Sequence, residues 1–219
     1  MLSRLELIVF LGVVPILVLV ADKIVGRIRD NQLPAGSIVL ATPIPETAHI
    51  RPGTRWTQVG TTIVFMGNMM LTLFVAIASI FDFWLVLPQV LFIHLPVWVN
   101  WLGIVFGLAM DLIGIVVRYY NVNYRAVFND LKGKYVLATG GPYKAVRHPI
   151  YSATCGLTIA IFLITEFWPL LLTVLCWGAL RKQAIYEEQT LRTIFKEEYE
   201  AYYVRTGRFF PLSLNRTRK

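Results

Sequence analysis

The apolar residues of this chain gather in long continuous runs instead of the alternating stripes of a soluble fold. Five runs are evident, at about residues 5–25, 59–81, 97–118, 149–165 and 167–185. A bilayer core needs about 20 apolar residues to be spanned by a helix, and the second and third runs meet that length. The first begins "LELIVFLGVVPILVLVA", with only Arg4 as a basic flank and no small-residue cleavage pattern, so a retained helix is expected. The fourth and fifth are short and separated only by Glu166, with Pro169 opening the next run; this predicts a tight helical hairpin. Beyond it, Ile194, Phe195, Glu198, Tyr199 and Tyr202 recur at helical spacing, which predicts an amphipathic C-terminal helix against the membrane-facing core. The expected fold is an all-α integral membrane protein of about five transmembrane helices. Residues 1–118 hold three of them, and residues 119–219 hold the hairpin and nearly all the polar chemistry.

Composition agrees with the pattern. The chain is 56% hydrophobic and 16% charged, whereas soluble domains carry about 25% charged residues. A net charge of +8 invites a nucleic-acid reading, but the basic residues are dispersed between apolar runs. Membrane topology accounts for them: 20 of the 21 Lys and Arg fall on one side if the N-terminus is outside and the C-terminus cytoplasmic. The 22–58 connection, rich in Pro and Gly, then reads as an irregular cytoplasmic loop. The stretch "FWLVLPQVLFIHLPVWVNW" reads as an outer interfacial segment, with His94 an interface residue. Cys155 and Cys176 lie in apolar runs and read as small buried hydrophobes; no metal-ligand spacing and no internal repeat is present.

In the third run Gly103, Gly107, Asp111 and Gly114 share one helical face, with Arg118 a turn further on. Small residues there let a neighbouring helix approach closely. Asp111, an acid deep in an apolar helix, is either a functional group or a structural partner for a polar residue such as Asn68.

Two C-terminal stretches concentrate the candidate chemistry: "GKYVLATGGPYKAVRHPIY" (133–151) and "RKQAIYEEQTL" (181–191). Arg147 and His148 precede the fourth run, and Pro149 suits the first helical position, where amides and dipole favour an anion. Glu187 and Glu188 lie beyond the fifth run on the same cytoplasmic side. Cations and carboxylates facing each other suit a zwitterionic ligand, or else form only an interfacial ion pair between the glutamates and Arg147 and Arg181.

"GPYKAVRHPIY", an apolar hairpin and then "EEQTL…FKEEYEAYYVRTGRFFP" together resemble the isoprenylcysteine carboxyl methyltransferase family and its phospholipid-methyltransferase relatives. The resemblance covers about residues 118–211 and implies a cytoplasm-facing S-adenosylmethionine pocket with a tunnel to the bilayer for a lipid-like acceptor. It implies cofactor contacts at Tyr135, Val136, Leu137, Ala138, Tyr143, Arg147, His148, Pro149, Ile150, Tyr151 and Glu187. His148 and the helix start would take the methionine carboxylate, and Glu187 the α-amino group. Substrate-side candidates are Arg181, Gln183, Glu188 and Asp111, with no residue assigned as a chemical catalyst and no metal. Gln183 stands where the prenylcysteine enzymes carry an arginine. The acceptor stays open among a prenylcysteine carboxylate, a phospholipid amine and a thiol. Lys196 replaces a family glycine and is expected to be tolerated on an exposed helix. Two other readings stand beside this one: an NADPH-dependent membrane reductase related to sterol reductases, using Arg147, Lys144, Lys132 and Lys134, and a non-catalytic membrane scaffold.

Overall fold

A computed structural model describes residues 2–29, 33–39, 55–81, 83–121 and 136–212. Tyr135, Lys132 and Lys134 lie outside the described residues. The chain enters its first helix through a capping box, in which the Ser3 hydroxyl accepts from the Glu6 amide and the Glu6 carboxylate accepts from the Ser3 amide. Helix α1 (Arg4–Ile8) passes through a π-turn (Val9–Val13) into α2 (Val14–Arg29). Pro15 explains the turn: its ring has no N–H and clashes with the carbonyl four residues back, and the wider π-turn relieves that clash.

Helices α3 (Arg55–Phe81), α4 (Val97–Tyr120) and α5 (Pro149–Thr165) follow, then a 3₁₀ segment (Trp168–Cys176) and α6 (Trp177–Arg205). A two-stranded antiparallel ribbon joins β1 (Ser37–Val39) to β2 (Val136–Ala138), pairing Ile38 with Leu137. The helical expectation holds apart from this ribbon, whose three-residue strands are too short to leave a period-two signature.

Helix α4 packs most extensively against α5, where Gly103 lies on Ala160, Leu163 and Ile164 and Gly107 on Ala160. Gly114 meets nothing within 4 Å, so the glycine face is divided between helix packing and open space. Helix α6 runs beside α3, where Gly60 abuts Ala179. Between α3 and α5 the Asn68 amide donates to Thr158 Oγ1 at 2.7 Å and to the Thr154 carbonyl at 3.2 Å. Asn68 is thus committed to α5 and does not serve Asp111.

Among the described residues two helices, Arg4–Ile28 and Val97–Tyr120, are long and apolar enough to cross a membrane, and few residues of their apolar windows are buried. Pro149–Thr165 is apolar but shorter. These helices bear out the all-α fold and do not by themselves establish five spans. The fifth run in particular opens as a 3₁₀ segment, because Pro169 and the turn at Glu166 interrupt helical hydrogen bonding. Glu166 makes that turn in the left-handed region (φ 62°) and is fully buried, accepting from Asn100 Nδ2 at 3.1 Å. Its carbonyl accepts from the Ile93 amide at 2.9 Å, tying the hairpin tip to the 83–96 segment.

The expected C-terminal helix is present but begins later than residue 193: the run Trp177–Arg205 is two helices that meet at a kink at Lys196, where φ is 44° and ψ −116°. That conformation suits glycine and strains a side chain carrying a Cβ, so Lys196 is exposed but not unconstrained. Replacing Lys196 by Gly is expected to stabilise the protein by about 1 kcal/mol. Thermal melting in neutral detergent should show a higher midpoint for Lys196→Gly and a lower one for Lys196→Val.

Candidate functional site

The site is assembled where the ribbon, the start of α5 and the middle of α6 converge. Strand β2 is buried throughout and leads into a 3₁₀ turn, Gly141–Lys144. Tyr120, at the end of α4, lies against Gly140 and Gly141, and a Cβ at either glycine would collide with its ring. Gly141 also has φ +51°, so two independent requirements fix glycine there. The Asn121 amide donates to the Tyr143 hydroxyl at 2.9 Å, and the Tyr202 hydroxyl donates to the Tyr143 carbonyl at 2.9 Å.

The chain then reaches Arg147 and His148, which are gripped by the segment after α6. Amides of Arg147 and His148 donate to the carbonyls of Gly207 (2.8 Å) and Arg208 (3.0 Å), and the Gly207 amide returns a bond to Ala145. The Ser152 hydroxyl donates to the Phe209 carbonyl at 2.6 Å, and the Phe209 ring lies 6.1 Å from His148.

Side chains complete the lock. Glu188 is buried and receives Arg147 Nε at 3.0 Å and Arg208 through two nitrogens at 2.9 and 2.8 Å. Arg147 also donates to the carbonyls of Tyr203 and Thr206 and stacks over the Tyr203 ring at 4.0 Å. His148 lies between the two glutamates: Nδ1 is 3.4 Å from Glu187 Oε2, and Nε2 is 3.3 Å from Glu188 Oε1. The second approach is a charge contact without hydrogen-bond alignment.

The neighbouring carboxylate has a different task. Glu187 Oε1 accepts from the Tyr151 hydroxyl at 2.7 Å and from Gln183 Nε2 at 3.2 Å. Three side chains thus hold Glu187 on the wall of a cavity of about 920 Å³. Val136, Leu137 and Ala138 also line this cavity, as do Tyr143, Arg147, His148, Ile150 and Tyr151. Pro149 is buried at the first position of α5 and is not on the wall. Of the substrate-side candidates only Asp111 reaches the wall; Arg181 is exposed, Gln183 is spent on Glu187, and Glu188 belongs to the ion cluster. Arg181 has no part in the ion pair that the sequence allowed; Arg208 takes that place.

The cavity also has walls that sequence reasoning missed. Tyr199 and Tyr202 line it from α6, and among the described residues the buried Tyr199 hydroxyl has no hydrogen-bond partner. Their spacing of three on one helical face was visible, but served equally for packing. Asp22 and Arg118, an ion pair between α2 and α4, stand on the wall as well. From this polar floor the cavity runs between α2 and α3. There Ile16, Leu19, Met66, Met69 and Leu73 line it while remaining exposed, so that side is open. Helix α2 packs on α4, and α3 on α5 and α6, which leaves the gap.

Burial alone pushes the His148 imidazolium pKa down, but the carboxylates of Glu187 and Glu188 against its ring outweigh it and hold it above the ordinary 6.5. Burial likewise favours a protonated Glu188, yet His148, Arg208 and Arg147 hold it well below the usual carboxylate range. His148 therefore contributes stability that is whole below its ordinary 6.5 and is lost as pH rises through the elevated folded value. Glu188 contributes stability that is whole above its ordinary 4.5 and is lost as pH falls toward the folded value. The melting midpoint in neutral detergent is expected to decline above pH 6.5, and His148→Gln to flatten that limb. Glu188→Gln should cost about 3 kcal/mol, because it leaves guanidinium groups without their counter-ion. A wild-type midpoint that climbs through the alkaline range contradicts this assignment.

No curated protein sequence matches the chain. Residues 101–198 do match the family model for phospholipid methyltransferases, a match that takes in α4, α5, the hairpin tip and both glutamates. Through this segment the chain is similar to the isoprenylcysteine carboxyl methyltransferase-like group of membrane methyltransferases.

Proposed function

We propose that the protein transfers a methyl group from S-adenosylmethionine to an amphiphilic acceptor that enters from the bilayer. The observation that carries this reading is Glu187: a carboxylate fixed by Tyr151, Gln183 and His148 at the polar end of a cavity whose other end is apolar and open. A ligand with a zwitterionic amino acid at one end and an aromatic base at the other fits that floor. Glu187 would take the α-amino group, and Tyr143, Tyr151 and the β2 segment would frame the adenosine. The unpartnered Tyr199 hydroxyl is a further polar group for such a ligand to satisfy.

His148 takes a different role from the one its motif implied. Both of its ring nitrogens face glutamates, so it serves to hold Glu187 and is not left to receive a carboxylate. S-adenosylmethionine supplies an electrophilic methyl group on a sulfonium. Displacement at such a centre needs alignment and exclusion of water more than acid or base catalysis. The chain provides both. Buried β2, Tyr143 and Tyr151 dry the floor, and the walls of α3 and α4 aim an elongated acceptor toward it. The gap between α2 and α3 would open to lipid, with the N-terminus outside and the floor cytoplasmic, as the distribution of Lys and Arg favours. The reductase reading finds no support in the family match, and Glu187 on the wall opposes a cofactor carrying an additional phosphate.

Purified protein in detergent is expected to bind S-adenosylmethionine saturably, and Glu187→Gln to weaken that binding more than tenfold. Absence of saturable binding to the wild type overturns the proposal. A labelled-methyl assay over lipid and thiol acceptors, with products identified by mass, then names the class of acceptor.

A further inference from the structure

The open arm of the cavity is apolar apart from a few polar groups, and most of these are already spent. Asn68 is bonded to Thr158 and Thr154, Thr72 to the Asn68 carbonyl, and Asp22 to Arg118. Asp111 is the exception: it lines the cavity half-buried, and among the described residues no side chain or backbone group pairs with it. A carboxyl in an apolar wall is costly to keep without a partner, and such groups in membrane helices ordinarily face a ligand path.

Its depth is fixed by its neighbours on α4. Val117 and Ile113 cluster with Ala138, Tyr143 and Ile150 at the polar floor, whereas Met110 packs on Gly156, further along α5. Asp111 lies six residues before Val117, roughly 9 Å up the helix axis from the floor. Gly107 and Gly114, one turn to either side, also line the cavity, and Gly114 leaves the space beside it clear. An acceptor with its tail between α2 and α3 therefore brings its polar end past this carboxyl before it reaches the floor.

We infer that Asp111 is the specificity-determining residue for the acceptor, taking a chain whose end donates hydrogen bonds and carries no negative charge, and turning away one that ends in a carboxylate. This deepens the methyl-transfer reading and rests on it for the identity of the ligand as acceptor. The selection itself is a binding property and needs no methyl donor. A carboxylate acceptor brought beside Asp111 would add a second uncompensated negative charge in an apolar wall, whereas an N–H or O–H group satisfies the first.

The test uses the full chain in neutral maltoside detergent. Binding of radiolabelled dodecylamine, dodecanol and dodecanoate is measured by scintillation proximity, with protein-free micelles as background. Wild type is expected to bind the amine and the alcohol at least tenfold more tightly than the carboxylate. Asp111→Asn should reduce that preference to under threefold while leaving S-adenosylmethionine affinity unchanged. Asp111→Leu should weaken the amine and strengthen the carboxylate. Equal preference in wild type, or a preference that survives in both variants, overturns the assignment. Because acceptor and S-adenosylmethionine binding are read separately, loss of the second alone counts against the methyl-transfer reading and leaves the selectivity result standing.

Discussion

Everything at the polar end of this molecule hangs on one buried carboxylate. Glu188 binds two guanidiniums and faces an imidazole, and those three groups come from the start of α5 and from the segment beyond α6. Without it, Arg147 and His148 would be charges forced together at a helix end with nothing to compensate them. With it, the corner before α5 becomes a fixed point, and the Gly207–Phe209 segment can lie along it in backbone hydrogen bonds. The adjacent Glu187 benefits at second hand. Its position depends on His148 and Tyr151, and His148 is held by Glu188. One glutamate is spent on structure, so the next along the chain can face the cavity.

That division between neighbours marks the limit of what the sequence shows. The paired glutamates, the Arg-His-Pro corner and the hairpin that brings them to one end were all legible, because each is a local pattern with a known direction. Which glutamate faces inward came from the resemblance alone and not from the pattern of residues, since it turns on about 100° of helical rotation and on Arg208, a residue in a tail that no periodicity connects to Arg147. The same limit explains Asn68, which the pattern offered to Asp111 and the packing gave to Thr158. Lys196 looked like a harmless replacement of a family glycine because composition carries no information about φ, and the backbone shows why glycine suits the position.

The helical part of the fold divides its contacts in a way that suits an open cavity. Small residues at Gly103 and Gly107 let α4 and α5 approach closely, and Asn68 ties α3 to that pair. Helix α2 leans chiefly on α4, and its outward residues are broadly exposed and apolar. Rigidity is thus concentrated around the floor, while the wall toward α2 has the fewest neighbours to hold it. The 3₁₀ segment and the buried Glu166 turn fix the far end of the hairpin, so the floor is braced from both ends of α5.

The clasp by Gly207, Arg208 and Phe209 also sets an order of events during synthesis. These residues follow every described helix, yet they supply the carbonyls that receive the Arg147 and His148 amides and the guanidinium that completes the Glu188 cluster. A nascent chain can form all of its described helices and still lack a finished floor. The clasp closes only when residue 209 has left the ribosome, so a chain cut short before it carries these helices without the floor of the cavity.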